Sequence, residues 1–279
     1  MLYSRAMNVG FAHYPKTAGH SLTRWFLEAF PDAEFVARHP RYEINHLPVR
    51  ESLERLGLVR PRGAQRDGRL SRAVRRLGGG PWLDRAAARR ESGGARCSTR
   101  IIGVVREPFD MLVSLFEYWR RFDFAEEPTL QLIRCARTGT FREFLTLAVV
   151  ERQVLNYRDF FDMEGPAAAS TRLLAFDSLE HALEEVCREF RLPMPAAKLG
   201  QLNASPNRRR DLTPYVAEAG SLLADVRSHF RWYYETGSDR MVTGAGRGAS
   251  GTPPAERAWP RFFAARTRPE ISLAAAHVG

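Results

Sequence analysis

The sequence is poor in lysine and cysteine and has no long apolar run. Only two of its 42 basic residues are lysines, Lys16 and Lys198. The three cysteines, Cys97, Cys135 and Cys187, are odd in number and widely spaced, so they form neither a disulfide framework nor a metal-ligand pattern. No stretch approaches the ~18–20 apolar residues of a membrane span, and the N-terminus lacks the pattern of a signal peptide. These absences predict a cytoplasmic protein without a metal site.

The chain has enough apolar residues for a core but carries a large positive charge. Its 279 residues are 44% hydrophobic and 11% aromatic, and the formal net charge is +10. Much of the excess lies between Arg60 and Arg100, where apolar periodicity is weak. One interpretation is a solvated or disordered loop. The other is a cationic surface for an acidic partner, and this leaves a basic nucleic-acid-binding protein as an alternative function.

Apolar runs and amphipathic stretches alternate along the chain, and no hairpin signal separates them. This alternation predicts an α/β fold: a P-loop-like central parallel sheet flanked by helices on both faces. We expect one such domain over residues 1–242, with an Arg-rich insertion or flexible loop at 60–98 and a loosely ordered tail at 243–279. The predicted strands are 8–12, 99–105 and 171–176, and the predicted helices are 19–30, 49–56, 108–122, 179–190 and 213–230. A capping box at Thr140–Glu143 opens another helix that extends toward Phe161, and Asp177-Ser178-Leu179-Glu180 is expected to cap the helix over 179–190.

The first strand leads into a turn that carries one of the two lysines. The turn is Pro15-Lys16-Thr17-Ala18, and a helix begins at Gly19. A helix N-terminus presents unpaired N–H groups and the positive end of the helix dipole, which bind phosphate-like anions. A nucleotide triphosphatase loop would have glycine directly before the lysine. Pro15 removes an N–H and fixes φ there, so the usual triphosphate cradle cannot form with the same backbone.

A second strand-to-helix junction follows the run that ends at Val105. It reads Arg106-Glu107-Pro108, with Asp110 shortly afterwards. Proline suits the first helical position, and an acidic residue is favourable in the first turn. Arg106 therefore lies directly before the N-terminus of a second predicted helix.

In this order, the two junctions resemble the motifs of the sulfotransferase superfamily, and the closest likeness is to its carbohydrate-type branch with bacterial relatives. Pro-Lys-Thr-x-Gly-x-Ser-Leu corresponds to the 5′-phosphosulfate loop, and Val-Arg-x-Pro-x-Asp-x-x-x-Ser to the 3′-phosphate motif. The likeness extends through 171–192, Asn203-Ala204-Ser205 and the helix of Tyr215. Two positions depart from the pattern. His20 stands where the family has Thr or Ser, and Met111 stands where an arginine is frequent.

The resemblance implies transfer of a sulfuryl group from 3′-phosphoadenosine 5′-phosphosulfate (PAPS) to a hydroxyl of a carbohydrate or glycosylated natural product. The product of the donor is adenosine 3′,5′-bisphosphate (PAP), and no metal is required. Lys16 would neutralise charge on the leaving 5′-phosphate, while Arg106 and Ser114 would hold the 3′-phosphate. The residues implied in donor binding are Pro15, Lys16, Thr17, Ala18, Gly19, His20, Ser21, Arg106, Ser114, Asn203 and Ser205.

A general base is also expected between the two motifs. The resemblance favours His46, because family members often place a histidine in this stretch and imidazole titrates near neutrality. His39, Glu43, His20 and His13 remain alternatives. The rival enzymatic interpretation is a P-loop kinase-like nucleotide-binding protein. We expect a small-molecule or glycan acceptor as partner, and neither nucleic acid nor a membrane span.

Overall fold

Six strands form a mixed sheet in the computed structural model, which describes residues 1–36, 46–61, 97–121, 131–194, 199, 211–235 and 241–242. The strands are β1 (Leu2–Ser4), β2 (Val9–Ala12), β3 (Glu34–Phe35), β4 (Arg100–Val105), β5 (Thr171–Ala175) and β6 (Met241–Val242). Their spatial order is β3-β1-β2-β4-β5-β6.

The larger part of the sheet is parallel, as the sequence predicts. Strands β2, β4, β5 and β6 pair in parallel. Ala12 at the end of β2 lies opposite Gly103 in β4, so both strands run toward the same edge. Turns that follow parallel strands meet at their carboxyl ends, and ligand sites of open α/β sheets form there.

The antiparallel edge contradicts the expectation of a sheet without hairpins. β1 pairs antiparallel with both β2 and β3. The connection from β1 to β2 contains no glycine or proline, which is why its sequence carried no strong turn signal. Asn8 instead adopts φ +48°, and its N–H donates to the Arg5 carbonyl. Asparagine tolerates this left-handed conformation better than most residues do.

Helices follow most strands, and their bounds agree with the predicted helices near the two junctions. Each helix after a parallel strand begins within a few residues of the strand's end. The helices are α1 (Gly19–Ala29), α2 (Val49–Arg55), α3 (Pro108–Arg121), α4 (Gln131–Thr138), α5 (Phe141–Leu145), α6 (Tyr157–Phe160), α7 (Leu179–Phe190), α8 (Thr213–Ala219), α9 (Leu222–His229) and α10 (Arg231–Glu235).

Two apolar clusters pack on opposite faces of the sheet. Neighbouring residues of β4 alternate between them: Ile102 and Val104 belong to the cluster with α1 and α7, while Ile101 and Val105 belong to the cluster with α3 to α6. Side chains of a strand alternate between faces, so these clusters place helices on both sides. Gly103 allows close packing on the second face, because a Cβ there would lie 2.2 Å from the Phe161 ring.

Two predicted helices are interrupted. The helix expected from 141 toward Phe161 ends after α5 in a π-helical turn, Thr146–Val150, and Arg152 then adopts φ +57°. The helix expected over 213–230 divides into α8 and α9 at Gly220, whose φ is +53°. Left-handed backbone cannot continue a right-handed helix, and it ends the helical run at each place.

The two predicted caps differ in outcome. The capping box at the start of α5 is confirmed, because the Thr140 hydroxyl accepts from the Glu143 N–H and Glu143 accepts from the Thr140 N–H. The expected cap at Asp177-Ser178 is wrong: Phe176–Ser178 forms a 3₁₀ turn, and Ser178 makes no side-chain cap hydrogen bond. This turn carries the chain from β5 into α7.

Most of the predicted Arg-rich insertion at 60–98 and the whole tail at 243–279 lie outside the described residues. Within the described ranges, no helix is long and apolar enough to cross a membrane.

Thr140→Ala should lower the free energy of unfolding by about 1 kcal/mol, because it removes the hydroxyl that caps α5. Thr138→Ala is the matched control, since the Thr138 hydroxyl only donates back to the Arg134 carbonyl at the exposed end of α4. Urea denaturation of both variants measures the difference. Equal losses would contradict the capping role.

Candidate functional site

The lysine turn has an unusual backbone, in which two non-glycine residues have left-handed φ angles. Lys16 has φ +61° and Ala18 has φ +59°, whereas Thr17 between them does not have positive φ. Left-handed residues are one component of the backbone nests whose N–H groups bind anions. Non-glycine residues in this region carry strain of order 1–2 kcal/mol. The turn therefore maintains a strained conformation suited to an anion.

Inward contacts hold this turn in place. The Thr17 hydroxyl is buried and donates to the Tyr14 carbonyl at 2.8 Å. The hydroxyl of Tyr14 donates to the Leu155 carbonyl. Ala18 is the residue before α1, and it makes no side-chain cap hydrogen bond. The helix N-terminus therefore presents backbone N–H groups that the Ala18 side chain does not cap. Thr17 thus uses its hydroxyl within the turn, while His20 is exposed and Ser21 is half-buried.

The second junction lies against the first. Arg106 Nη1 donates to the Lys16 carbonyl at 3.4 Å. Its Nε and Nη2 both reach Asp110 Oδ2 at 2.6 Å, and its guanidinium lies 4.7 Å from the centre of the Phe176 ring. The arginine is therefore held on three sides, beside the lysine turn.

The backbone of the second junction is also anchored. The Tyr157 hydroxyl donates to the Arg106 carbonyl at 2.7 Å and accepts from the Arg106 N–H at 3.3 Å. Glu107 accepts from the Asp110 N–H and from the Tyr234 hydroxyl, both at 2.7 Å. Burial raises the pKa of Glu107 above its usual value. These contacts fix the point where β4 turns into α3.

Three histidines gather at the lysine turn. The rings of His13 and His46 have centroids 4.7 Å apart, and those of His13 and His20 are 6.1 Å apart. His46 Nδ1 lies 3.0 Å from the His13 carbonyl oxygen. A carbonyl only accepts hydrogen bonds, so Nδ1 of His46 carries the proton and the neutral ring keeps Nε2 as an acceptor.

Two of these histidines, His13 and His46, are held toward their neutral forms. Burial, followed by repulsion from His46 and His20 when they are protonated, lowers the pKa of His13 well below its usual value. Desolvation also lowers the pKa of His46, to about 4, although this residue is exposed. The unprotonated ring is free to accept a proton, although the lowered pKa makes His46 a weaker base than an ordinary histidine. Among the candidate bases that the structure describes, His46 has its ring oriented by the hydrogen bond from Nδ1 to the His13 carbonyl.

Lys16 also contacts α3. Its Nζ lies 4.0 Å from the centre of the Tyr118 ring. Ser114 is half-buried on the same helix, one turn beyond Asp110. The side chains around the lysine turn thus come from the segment after β2, the β4–α3 junction, α3 and the segment before α2.

The structure brings together most of the predicted site residues that it describes. Residues 15–21, His46 and Arg106 meet at the sheet edge, with Ser114 on the adjoining helix. His39, Glu43, Asn203 and Ser205 lie outside the described residues. In the part of the chain that is described, no group of three or more His, Cys, Asp or Glu side chains could hold a metal ion.

Sequence reasoning missed the residues that support the two junctions. From the sequence, Asp110 is interpreted only as an acidic residue that is favourable in the first turn of the helix. Its position four residues after Arg106 is, however, also the spacing of a helical ion pair. Sequence reasoning overlooked Tyr118, Tyr157 and Phe176. No local pattern distinguishes these aromatic residues from ordinary core residues.

Comparison with protein-family models and with curated proteins finds no match to this chain.

Gly19→Ala should destabilise the first junction. A Cβ at Gly19 would lie 1.5 Å from His13 Nε2, so the buried ring or the first turn of α1 must move. Overpacking of this kind costs about 1–3 kcal/mol, which urea denaturation can measure. The second change His13→Ala should relieve part of the loss, because the pair shares one clash. Strictly additive effects would show that the ring is not the obstacle.

Stability should fall as the pH drops below about 6.5, the usual histidine pKa. His13 has a lowered pKa in the folded state, so the unfolded chain binds its proton first and acid favours unfolding. The limiting slope is about 1.4 kcal/mol per pH unit for one proton. The free energy of unfolding, measured by urea denaturation from pH 8 to pH 5, should depend less steeply on pH in His13→Gln than in the unmodified chain. Some dependence should remain, because the pKa values of His46 and His229 are lowered in the same direction.

His181→Gln is the control for this measurement, because His181 is exposed on α7. It should retain the dependence of the unmodified chain. An unchanged slope in His13→Gln would mean that protonation of His13 is not linked to unfolding.

Proposed function

We propose that this protein transfers a sulfuryl group from PAPS to a hydroxyl of a carbohydrate or glycosylated natural product and releases PAP. The observation that carries the proposal is the contact between the two junctions, in which Arg106 donates to the Lys16 carbonyl. Two cationic side chains, each beside a helix N-terminus, thereby lie at one sheet edge. A donor with a phosphate at each end of its ribose requires such a pair of neighbouring anion sites.

The lysine turn would hold the 5′-phosphate. Its residues Lys16 and Ala18 have left-handed φ angles, and backbone of this kind occurs in nests whose N–H groups bind anions. The Lys16 ammonium would stabilise negative charge on the bridging oxygen as the bond between that oxygen and sulfur breaks. Sulfuryl transfer, like phosphoryl transfer, depends chiefly on positioning and charge stabilisation, and this turn supplies both.

Arg106 would hold the 3′-phosphate, together with Ser114. Asp110 fixes the plane of the guanidinium through two of its nitrogens, and the Phe176 ring lies against it. A guanidinium held in one orientation loses less conformational entropy on binding an anion. The Asp110 carboxylate reduces the net positive charge, so orientation is the larger benefit of this pair.

His46 would act as the general base. Its Nδ1 is occupied by the His13 carbonyl, which leaves Nε2 to take the proton of the acceptor hydroxyl as that oxygen bonds to sulfur. The lowered pKa of His46 keeps the ring unprotonated at neutral pH. The acceptor class itself rests on the family resemblance.

The alternative is a kinase-like nucleotide-binding protein, because a lysine turn before a helix also suits a triphosphate. Pro15 argues against it, since the usual cradle has glycine there. The two functions differ in ligand: one requires a 3′-phosphate, and the other requires ATP with magnesium.

Isothermal titration of the full chain with PAP, AMP and ATP–magnesium tests the proposal. PAP should bind more tightly than AMP, because only PAP presents a phosphate to Arg106. Arg106→Lys should weaken PAP about ten-fold and leave AMP nearly unchanged, since lysine lacks the planar fork. Arg24→Lys is the control, because Arg24 pairs with Glu28 on the exposed face of α1.

The same protein should transfer labelled sulfate from PAPS to at least one member of a panel of glycan and glycoside acceptors. Lys16→Ala should reduce that rate by about 10²–10³-fold, the usual loss when a charge-stabilising group is removed. Preference for ATP–magnesium over PAP would favour the kinase-like function. Transfer that survives in Lys16→Ala would exclude the proposed role of the lysine.

A further inference from the structure

The ammonium group of Lys16 is in contact with an aromatic ring. Its Nζ lies 4.0 Å from the centre of the Tyr118 ring, within the ~6 Å range of cation–π interactions. Tyr118 is half-buried, and burial raises the pKa of its hydroxyl above the usual value. The ring therefore stays neutral and can attract the ammonium group across the physiological pH range.

Tyr118 belongs to a row of residues that begins at Arg106, just before α3, and continues along that helix. Arg106, Asp110, Ser114 and Tyr118 are each four positions apart, and this spacing places the helical members on one face. The row contacts Lys16 twice: Arg106 at its carbonyl and Tyr118 at its ammonium. The Lys16 side chain consequently extends along α3, from the side of Arg106 toward Tyr118.

Among the described residues, the Tyr118 ring lies outside the two apolar clusters. The neighbouring Trp119 packs against one of the two apolar clusters, but Tyr118 is not among the described residues of either. Phe116 and Leu115 are buried on the same helix. The ring of Tyr118 instead faces the polar side of α3, where the lysine lies.

We propose that Tyr118 is a positioning residue for Lys16, which its ring holds in place for the anion that the turn binds. This inference rests on the proposed function for the identity of that anion. A lysine side chain has up to about 2 kcal/mol of rotamer entropy to lose. Contact with the ring restricts the ammonium before a ligand arrives, so less of that entropy remains to be lost on binding.

The contact can be tested without any ligand, because the chain has only Lys16 and Lys198. Lysine-selective ¹³C labelling of the full chain gives two ε-methylene signals, and Lys198→Arg assigns them. The ring current of Tyr118 should shift the Lys16 signal upfield of the Lys198 signal. Tyr118→Phe should retain the shift, and Tyr118→Leu should abolish it. Coincident lysine signals, or a shift that survives in Tyr118→Leu, would overturn the proposal.

Binding of PAP tests the positioning role. Tyr118→Leu should weaken PAP about three- to ten-fold, within the range expected from loss of one cation–π contact, whereas Tyr118→Phe should bind almost as the unmodified chain does. In a Lys16→Met background, Tyr118→Leu should have no further effect, because the ring acts through the lysine. If the role of Tyr118 is merely structural, Tyr118→Leu should weaken PAP binding in both backgrounds, and this result would overturn the proposal. Tighter PAP binding by Tyr118→Leu would also overturn it.

The outcomes separate this inference from the proposed function. A ring-current shift in a protein that does not bind PAP would exclude the sulfotransferase function, and with it the positioning role, while establishing the contact itself. Binding of PAP without the shift would support the function and overturn only the role of Tyr118.

Discussion

The parallel pairing of β2 with β4 is the constraint on which the site depends. It carries the two strands to the same edge, with Ala12 opposite Gly103, so that the Lys16 turn and Arg106 emerge side by side. The hydrogen bond from Arg106 to the Lys16 carbonyl then joins residues 90 positions apart. An antiparallel pair would have sent the two junctions to opposite edges of the sheet.

An aromatic layer beneath the site transmits this arrangement to both turns. Tyr14 precedes the lysine turn and donates to the Leu155 carbonyl, while Tyr157 holds the backbone of Arg106. Their rings are in edge-to-face contact with centroids 4.7 Å apart. Because both rings are buried and their hydroxyls are paired, a shift of either junction would disturb the other. The two junctions are therefore linked through the core.

The electrostatics of the site are local and do not follow from the net charge of +10. Asp110 offsets the charge of Arg106, and burial keeps His13 toward its neutral form. Lys16 is left as a compact charge at a strained turn, in contact with Tyr118. This distribution suits an anion bound at a defined position better than a broad polyanion.

Short-range patterns in the sequence determined the strand–turn–helix units. Val9–Ala12 before Gly19, Pro108 after the β4 run and the capping box at Thr140 each express a preference within a few neighbouring residues. The hairpin at Asn8 and the helix breaks at Arg152 and Gly220 depended on single left-handed residues, for which the pattern carried little signal. Only the tertiary structure placed Asp110 on Arg106, His46 on the His13 carbonyl and Tyr118 on Lys16. The contacts of His46 and Tyr118 join distant parts of the chain, and strand pairing and helix packing decide which of these side chains meet. The Asp110–Arg106 pair is short-range, but its importance depends on the Lys16 turn that lies beside it.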